Sequence, residues 1–533
     1  MTNSTDFDSQ PLINETADTA DSQQKTFLRL FNKALTFQIN KRYEQAIDFY
    51  EKALTVQADH LPTHQVLGFL YQDSFRFKEA LEHYKKAIAL HENSATLHNS
   101  AGLCEEHCKN LPAACQYYLN ATKLKMDNAE ALNNLGNVYR KMGDYAKAEM
   151  YLLKALRINI SIETLANLGL MMSELGNRTL ALSFYDHALR LQPDNPQVNW
   201  NKSIVLLSMG NFDEGWYLYD QGKLAKTRPK QQSPLVKSKS DFSINFFRDK
   251  IVYIKGEQGI GDEVMFASCI PDLIKVAKKC IIECDDRLVP LFQRSFPDAQ
   301  VKPEYDTKLG LINRDKASAD VVISMASVPR FIRRDFTDFP CDNSYLYAYP
   351  KAVKYWRKKY QEKGKEWNIG ITWKGGLNEE SRRRSTKLSM WQHILELDDI
   401  NFVNLQYGDT GDEQVLVEKY LNDWPETDHF HNIEQLAAQI SALDLLITVS
   451  NVTAHLAGAL GVPVYILLPK SPNWRWFMGK NPSPWYRSAI LFPQTRTDEW
   501  DNVFNAIERQ LNQDFLSNPS QRQTATNVNG VHC

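Results

Sequence analysis

Alanine recurs through the first half of this 533-residue chain on a fixed beat. Ala46, Ala80, Ala114, Ala148 and Ala181 stand 34, 34, 34 and 33 residues apart. A second set, Ala53, Ala87, Ala121, Ala155 and Ala188, keeps the same interval, and Gly68, Gly102, Gly136 and Gly169 form a third. Such a period restricts the fold more than any composition does. Each unit is a small supersecondary element that cannot bury its apolar face alone and must stack on its neighbours. Two antiparallel helices approach closely only where Gly or Ala faces Gly or Ala, and Tyr50, Tyr84 and Tyr118 are spaced to fill the adjacent groove.

Six units are predicted over residues 27–222, beginning near Phe27, Leu61, Ala95, Ala129, Ile162 and Pro196, with degenerate first and last units as end caps. The pattern resembles the tetratricopeptide repeat. That resemblance implies a curved stack whose inner groove, lined by the first helix of each pair, receives a peptide or protein segment. Asn134, Asn167 and Asn201 share one register, two residues before the glycine position. An asparagine ladder there donates to and accepts from an extended peptide backbone. Stabilisation of helix starts, or plain solvation, accounts for the same residues equally well.

The remaining bulk properties mostly exclude. With 43% hydrophobic and 24% charged residues the chain is ordinary globular protein, and its length calls for several cores. A net charge of −2 gives no basic field for nucleic acid. The acidic, polar residues 1–26 lack the basic start and apolar run of a signal peptide and are expected to be a disordered leader; residues 513–533 are expected to be a disordered tail. The most apolar stretch, Leu443 to Leu468, is interrupted by Asn451, His455 and Pro463, so no membrane span and a cytoplasmic location are expected. Eight cysteines are scattered; Cys104, Cys108 and Cys115 with His107 have the wrong spacing for zinc, and no metal or cofactor is expected. Residues 223–240, with six basic residues and no acid, read as a linker.

Beyond it the pattern changes. IVYIKG, CIIEC, ADVVISM, WNIGITW, NFVNLQY, DLLITVS and PVYILLP read as buried parallel strands between helices. They fall in two sets, residues 241–350 and 351–512, around the charged helix KAVKYWRKKYQEKGKE. The predicted fold class is therefore α plus α/β: a helical-repeat region followed by two Rossmann-like lobes facing a cleft.

Three loops carry candidate chemistry. Strand IVYIK runs into a loop containing Gly256, Gln258, Gly259 and Gly261 and then Asp262 at the entry of a helix. Glycines let a ligand approach backbone N–H groups, although the spacing is neither a dinucleotide fingerprint nor a P-loop. Asp262 reads as a helix N-cap or as a general base. After strand ITW come Lys374 and the run Arg382, Arg383, Arg384, placed to hold a diphosphate or simply solvated. Ser450, Asn451, Thr453 and His455 sit at a strand–helix junction that accepts anions; His455 is equally a satisfied structural histidine.

Taken together, GEQGIGDEVMFASCIPDL, ITWKGG with RRRSTKL, FVNLQYGD and LITVSNVTAHLAGALGVPVYILLP resemble the heptosyltransferase-like glycosyltransferases of GT-B fold, and bacterial proteins that fuse such a domain to tetratricopeptide repeats; PNWRWFMGKNPSPWYRSAILFPQ resembles the same fused group. The resemblance implies an inverting, metal-independent transfer from a nucleotide sugar to a hydroxyl. It assigns Asp262 as base, Arg383 and Arg384 with Lys374 as diphosphate contacts, and Ser450, Asn451, Thr453 and His455 as donor contacts. Gln406 and Asp409, after strand FVNLQ, are candidates for the nucleoside. Heptosyltransferases carry Asp-Thr-Gly where this chain has Ser450-Asn451-Val452, which argues against heptose and an ADP carrier. Asp285-Asp286 lacks supporting metal ligands. Trp474, Trp476 and Trp485 stack on a sugar or pack the C-terminal segment. A repeat groove beside a transferase implies a protein acceptor, a surface protein such as flagellin among them. Transfer to a polysaccharide or lipid-linked glycan, and a non-catalytic scaffold, are the alternatives.

Overall fold

From the second repeat onward the first helix of each repeat begins where the alanine register puts it; the first repeat's begins earlier than the expected Phe27. In the computed structural model, which describes residues 14–223, 243–256, 259–304, 318–340, 344–376, 379–408, 410–424, 426–497 and 499–516, these helices are Asn14–Ile39, Leu61–Asp73, Ala95–His107, Ala129–Lys141, Ile162–Glu174 and Pro196–Ser208. Their partners are Tyr43–Val56, Phe77–Leu90, Leu111–Leu124, Tyr145–Ile158, Arg178–Leu191 and Phe212–Tyr219. The first helix starts at Asn14, so residues 14–26 are helical where a disordered leader was expected. Acidic residues are favoured near a helix start by its dipole, which is why composition did not separate the two. Residues 1–13, the 224–242 stretch that holds most of the expected linker, and residues 517–533 of the expected tail lie outside the described residues. The chain divides into two compact units, Met1–Met171 and Met172–Cys533, inside the Ile162–Glu174 helix and upstream of the boundary expected at residue 222.

In the first unit the register alanines are buried completely. A Cβ on Gly68 would stand 2.6 Å from Tyr84 Cε1, and one on Gly102 2.7 Å from Tyr118 Cε1, so glycine here is the condition for the ring to lie flat between helices. Tyr50, Tyr84 and Tyr118 each send their hydroxyl twelve residues back, to Gln38, Gln72 and Glu106. The turn between the paired helices places one residue in the left-handed region: Lys41, Phe75, Lys109 and Gly143 have φ of 57, 59, 64 and 83°. Only the last is the residue type this conformation favours. Lys109 is exposed, and among the described residues the hydrogen bond it makes is that of its backbone N–H to the Glu106 carbonyl. Lys109→Gly is therefore expected to stabilise the unit by about 1 kcal/mol, seen as a higher urea midpoint at unchanged slope.

A histidine pair lies between the second repeat's helices. His64 Nε2 stands 2.8 Å from the Ala58 carbonyl, an acceptor only, so this nitrogen carries the proton and Nδ1 accepts from His83 Nδ1 at 3.0 Å. Burial, then His64 and Lys86, pushes His83 down to about 4. The folded value lies below the unfolded one, so the contribution is fully present above about pH 6.5 and is lost as pH falls toward about 4. The loss amounts to about 3 kcal/mol, and a His83→Gln chain should lack that part of the acid destabilisation in urea titrations.

In the second unit the last repeat is continuous with the α/β core. Leu207, Phe212, Trp216 and Tyr219 belong to the same buried cluster as the first sheet. Trp216 Nε1 donates to the Arg333 carbonyl at 2.7 Å, and Asp220 binds Ser327 and Arg330 at 2.6 and 2.9 Å. The first sheet contains β1 (Ile251–Lys255), β2 (Lys279–Cys284), β3 (Ala299–Pro303) and β4 (Val321–Ser324) in the order β3-β2-β1-β4. The second contains β5 (Trp367–Thr372), β6 (Ile400–Asn404), β7 (Leu445–Val449), β8 (Val464–Leu468) and β9 (Ala489–Pro493) in the order β6-β5-β7-β8-β9. All pairings are parallel. The seven predicted strands are present; β3 and β9 were missed. Both lie at sheet edges, as do β4 and β6, which were found; β3, AQVKP, carries Gln and Lys and is mostly half-buried, and β9, AILFP, is a short run ending in a proline.

Candidate functional site

Strand order reverses in each sheet at one point. In the first sheet β1 has β2 on one side and β4 on the other; in the second β5 lies between β6 and β7. In open parallel sheets the crevice beyond the carboxyl ends at such a reversal is where ligands bind. The glycine loop follows β1, Lys374 follows β5, and Ser450 and Asn451 follow β7. The sequence motifs thus stand at the two positions the topology singles out.

The two sheets' loops meet. A Cβ on Gly261 would stand 3.3 Å from His455 Cδ2 and 3.8 Å from Val452 Cα, so glycine lets the Ile260–Phe266 helix lie against the start of the Val452–Leu460 helix. Gly259, not Asp262, is the N-cap of the former. That removes the capping role expected as one reading of Asp262. Its carboxylate instead takes two guanidinium contacts from Arg475: Nε donates to Oδ1 at 2.6 Å, and Nη2 closes on the same oxygen. Arg475 is oriented by Asn473 at 2.7 Å and lies over the Trp474 ring. No spacing rule pointed to Arg475; its only signal was the aromatic run around it.

His455 is buried, stacked on Trp476 at 5.0 Å, and bonded through Nδ1 to the Tyr486 hydroxyl at 2.9 Å. Burial first, then the charges of Arg475 and Arg384, pushes it down to about 3, so it is neutral. Ser450 Oγ accepts from Trp476 Nε1 at 2.7 Å. Trp474, Trp476 and Trp485 are all buried, which is the packing role.

Other predicted contacts are committed to structure. Asn451 caps the Val452–Leu460 helix, its Oδ1 accepting from Thr453 N and Ala454 N at 3.0 and 3.2 Å. Its Nδ2 donates to Thr372 Oγ1 and the Lys374 carbonyl at 3.0 and 3.2 Å, leaving the amide no capacity for a donor. Gln406 is likewise spent: Oε1 accepts from Trp373 N and Lys374 N, and Nε2 donates to the Tyr407 carbonyl. Lys374 Nζ pairs with Glu413 at 2.5 Å, and Arg383 turns to Glu174 at 3.3 Å. Arg384 Nη2 donates to Ser381 Oγ at 3.0 Å. The Thr453 hydroxyl is buried with no hydrogen-bond partner among the described residues. Gln258 and Asp409 lie outside the described residues.

Two further features were not anticipated. Glu263, next to Asp262, is buried, accepts from Asp285 N at 2.9 Å, and is pushed up to about 8 chiefly by that burial. A cavity of about 530 Å³ opens beyond β6, lined by Gln406, Tyr407, Thr410, Asp423, His429 and Phe430 among others.

The asparagine register behaves differently from a free ladder. Asn134 Nδ2 donates to Asn99 at 3.2 Å and Asn167 Nδ2 to Asn133 at 3.0 Å, each reaching back to the preceding repeat. Asn201 accepts from Gln197 at 3.0 Å. These amides tie repeat to repeat or helix turn to helix turn.

Fold and site together define a helical-repeat protein continued by two parallel α/β sheets. Residues 26–93, 92–161 and 127–194 match the tetratricopeptide repeat, and the chain carries those repeats. Protein FlbA of Caulobacter vibrioides is 30% identical over 365 residues, covering 64% of this chain and 60% of FlbA, so the chain spans about 60% of that relative's length. The matched share exceeds what the repeats contribute, so the likeness runs on past them. Among solved structures, MamA is 26% identical over 30% of this chain and 94% of its own, with a TM-score of 0.29. YrrB, described as a TPR protein with an unusual peptide-binding site, is 20% identical over 35% and 96%, with a TM-score of 0.30. No helix among the described residues is long and apolar enough to cross a membrane.

Proposed function

We propose that the α/β region is a glycosyltransferase of GT-B type that moves a sugar from a nucleotide-sugar donor to a hydroxyl acceptor with inversion and without a metal. The observation that carries this reading is the Asp262–Arg475 ion pair in the loop that follows β1, which lies against the start of the Val452–Leu460 helix at Gly261. One carboxylate beside a guanidinium and the positive end of a helix matches an in-line displacement. Asp262 takes the proton of the acceptor hydroxyl; the oxygen bonds the anomeric carbon; the bond to the nucleotide diphosphate breaks, and its charge is met by guanidinium and helix dipole. Arg475 holds Asp262 in the free chain, and a diphosphate competes for that guanidinium and releases the carboxylate to act as base. The 530 Å³ cavity beside Gln406 is of a size for a nucleoside. The acceptor is a protein held by the repeats, a surface protein such as flagellin among the candidates.

The engagement of Lys374, Arg383 and Asn451 elsewhere favours one rival, a repeat scaffold whose α/β region no longer turns over. Incubating the chain with a panel of nucleotide sugars and candidate acceptor proteins decides between them. Release of nucleoside diphosphate with a discrete mass increment on a protein is expected. Neither turnover nor calorimetric binding of any nucleoside diphosphate leaves the scaffold; increments confined to glycan or lipid fractions move the acceptor to a cell-surface polysaccharide or lipid-linked sugar.

A further inference from the structure

The helix joining the two sheets, Pro350–Gln361, buries Trp356 and Tyr360 and turns an unusually basic face outward. From Lys351 to Lys365 the chain has seven cations, Lys351, Lys354, Arg357, Lys358, Lys359, Lys363 and Lys365, against one carboxylate, Glu362. Lys354, Arg357 and Lys358 follow helical i, i+3, i+4 spacing, are exposed, and line a groove of about 800 Å³. The rest of the lining is largely apolar, with Leu346, Ala348, Pro350, Val353 and Leu460, and includes no carboxylate among the described residues. Tyr347, 55% exposed, also lines it, and Tyr349 and Tyr355, 44 and 54% exposed, stand on the same stretch of chain beside Arg294 and Lys359.

From this we infer that the groove seats the chain on an anionic phospholipid surface. Two features separate a bilayer from an acidic protein as occupant. Six of the seven cations are lysines, mobile point charges that suit a diffuse layer of phosphates, where recognition of particular carboxylates favours arginine forks. Exposed tyrosines beside an apolar floor match the headgroup boundary, where an amphipathic ring keeps its hydroxyl wet and its face in hydrocarbon. The lysine stems bury along that floor while their ammonium groups stay at the phosphate level. The inference goes beyond the transferase reading and stands or falls without it.

The test is co-sedimentation of the full chain with vesicles of phosphatidylcholine alone and of phosphatidylcholine with phosphatidylglycerol. Binding to the anionic vesicles only, weakened by salt, is expected. The exposed triple variant Lys354→Ser, Arg357→Ser, Lys358→Ser should bind on the order of 100-fold more weakly, with unchanged circular dichroism. Three results overturn the inference: no binding of the unaltered chain to anionic vesicles; full binding by the triple variant, which moves the contact to the basic stretch at 223–240; or displacement by polyglutamate as effective as by vesicles, which makes the occupant an acidic protein.

Discussion

Asp262→Asn is expected to lower sugar transfer by a factor of about 10² to 10⁴ while leaving donor affinity near its original value. The amide keeps the shape of the carboxylate and one oxygen for Arg475 Nε, so the contact that positions the loop survives in weakened form. What is lost is the ability to take a proton from the acceptor hydroxyl. On the proposed mechanism kcat therefore falls and the donor KM does not. Equal transfer by Asp262→Asn sinks the base assignment. A fall in donor affinity with kcat intact makes Asp262 a positioning residue that holds Arg475. Arg475→Lys separates the two further. A lysine keeps a positive charge but loses the planar fork that now grips one carboxylate oxygen twice, so it should raise the donor KM if the guanidinium moves to the diphosphate.

Asn451→Ala should cost about 2–4 kcal/mol of stability, a larger effect than other substitutions at the site. The substitution removes the cap of the Val452–Leu460 helix and leaves the Thr372 hydroxyl and the Lys374 carbonyl without their donor in a buried place. Asn451→Asp retains the capping oxygen but sets a carboxylate against that carbonyl, and recovers only part of the loss. The measurement is urea unfolding followed by tryptophan fluorescence, since Trp373 and Trp476 lie beside the affected loops. A change in Asn451→Ala below about 0.5 kcal/mol contradicts the structural role and returns this residue to the donor site.

The repeat register was legible because it rests on a local steric condition repeated down the chain. Gly68 and Gly102 are small for the same reason each time, a tyrosine ring 2.6–2.7 Å from where a Cβ would stand, and that reason leaves its mark at a fixed interval. The strands that were legible carry an uninterrupted apolar core of two or more residues, as in CIIEC and LLITV, and are largely buried. β3 was not, because AQVKP alternates with Gln and Lys and is mostly half-buried; β9, AILFP, is a short apolar run ending in a proline. The asparagines show the limit of a register argument: it found that Asn134 and Asn167 are equivalent, but not that each spends its amide on the preceding repeat.

At the site, sequence picked the right loops and often the wrong atoms. Glycines, cations and hydroxyls at strand ends are a matter of composition and order, visible along the chain. That Arg383 turns to Glu174 and Arg384 to Ser381 is not announced by their order in the run. Arg475, 213 positions beyond Asp262, carries no local sign of its role, because an ion pair between distant segments is written in the packing of two sheets and nowhere in the chain's periodicity.

By itself the sequence determined a helical-repeat stack, its period and the helix starts from the second repeat onward, together with seven of the nine parallel strands and the loops that bear polar chemistry. These depend on residues close in sequence, where sterics and hydrophobic patterning act over one or two turns. The tertiary structure alone decided that the last repeat shares a core with the first sheet, that Asp262 is held by Arg475 instead of capping its helix, and that Asn451 and Gln406 fasten loops together. Each of these is a choice among several hydrogen-bond partners of similar local merit, and only the arrival of a remote segment settles which partner is within reach.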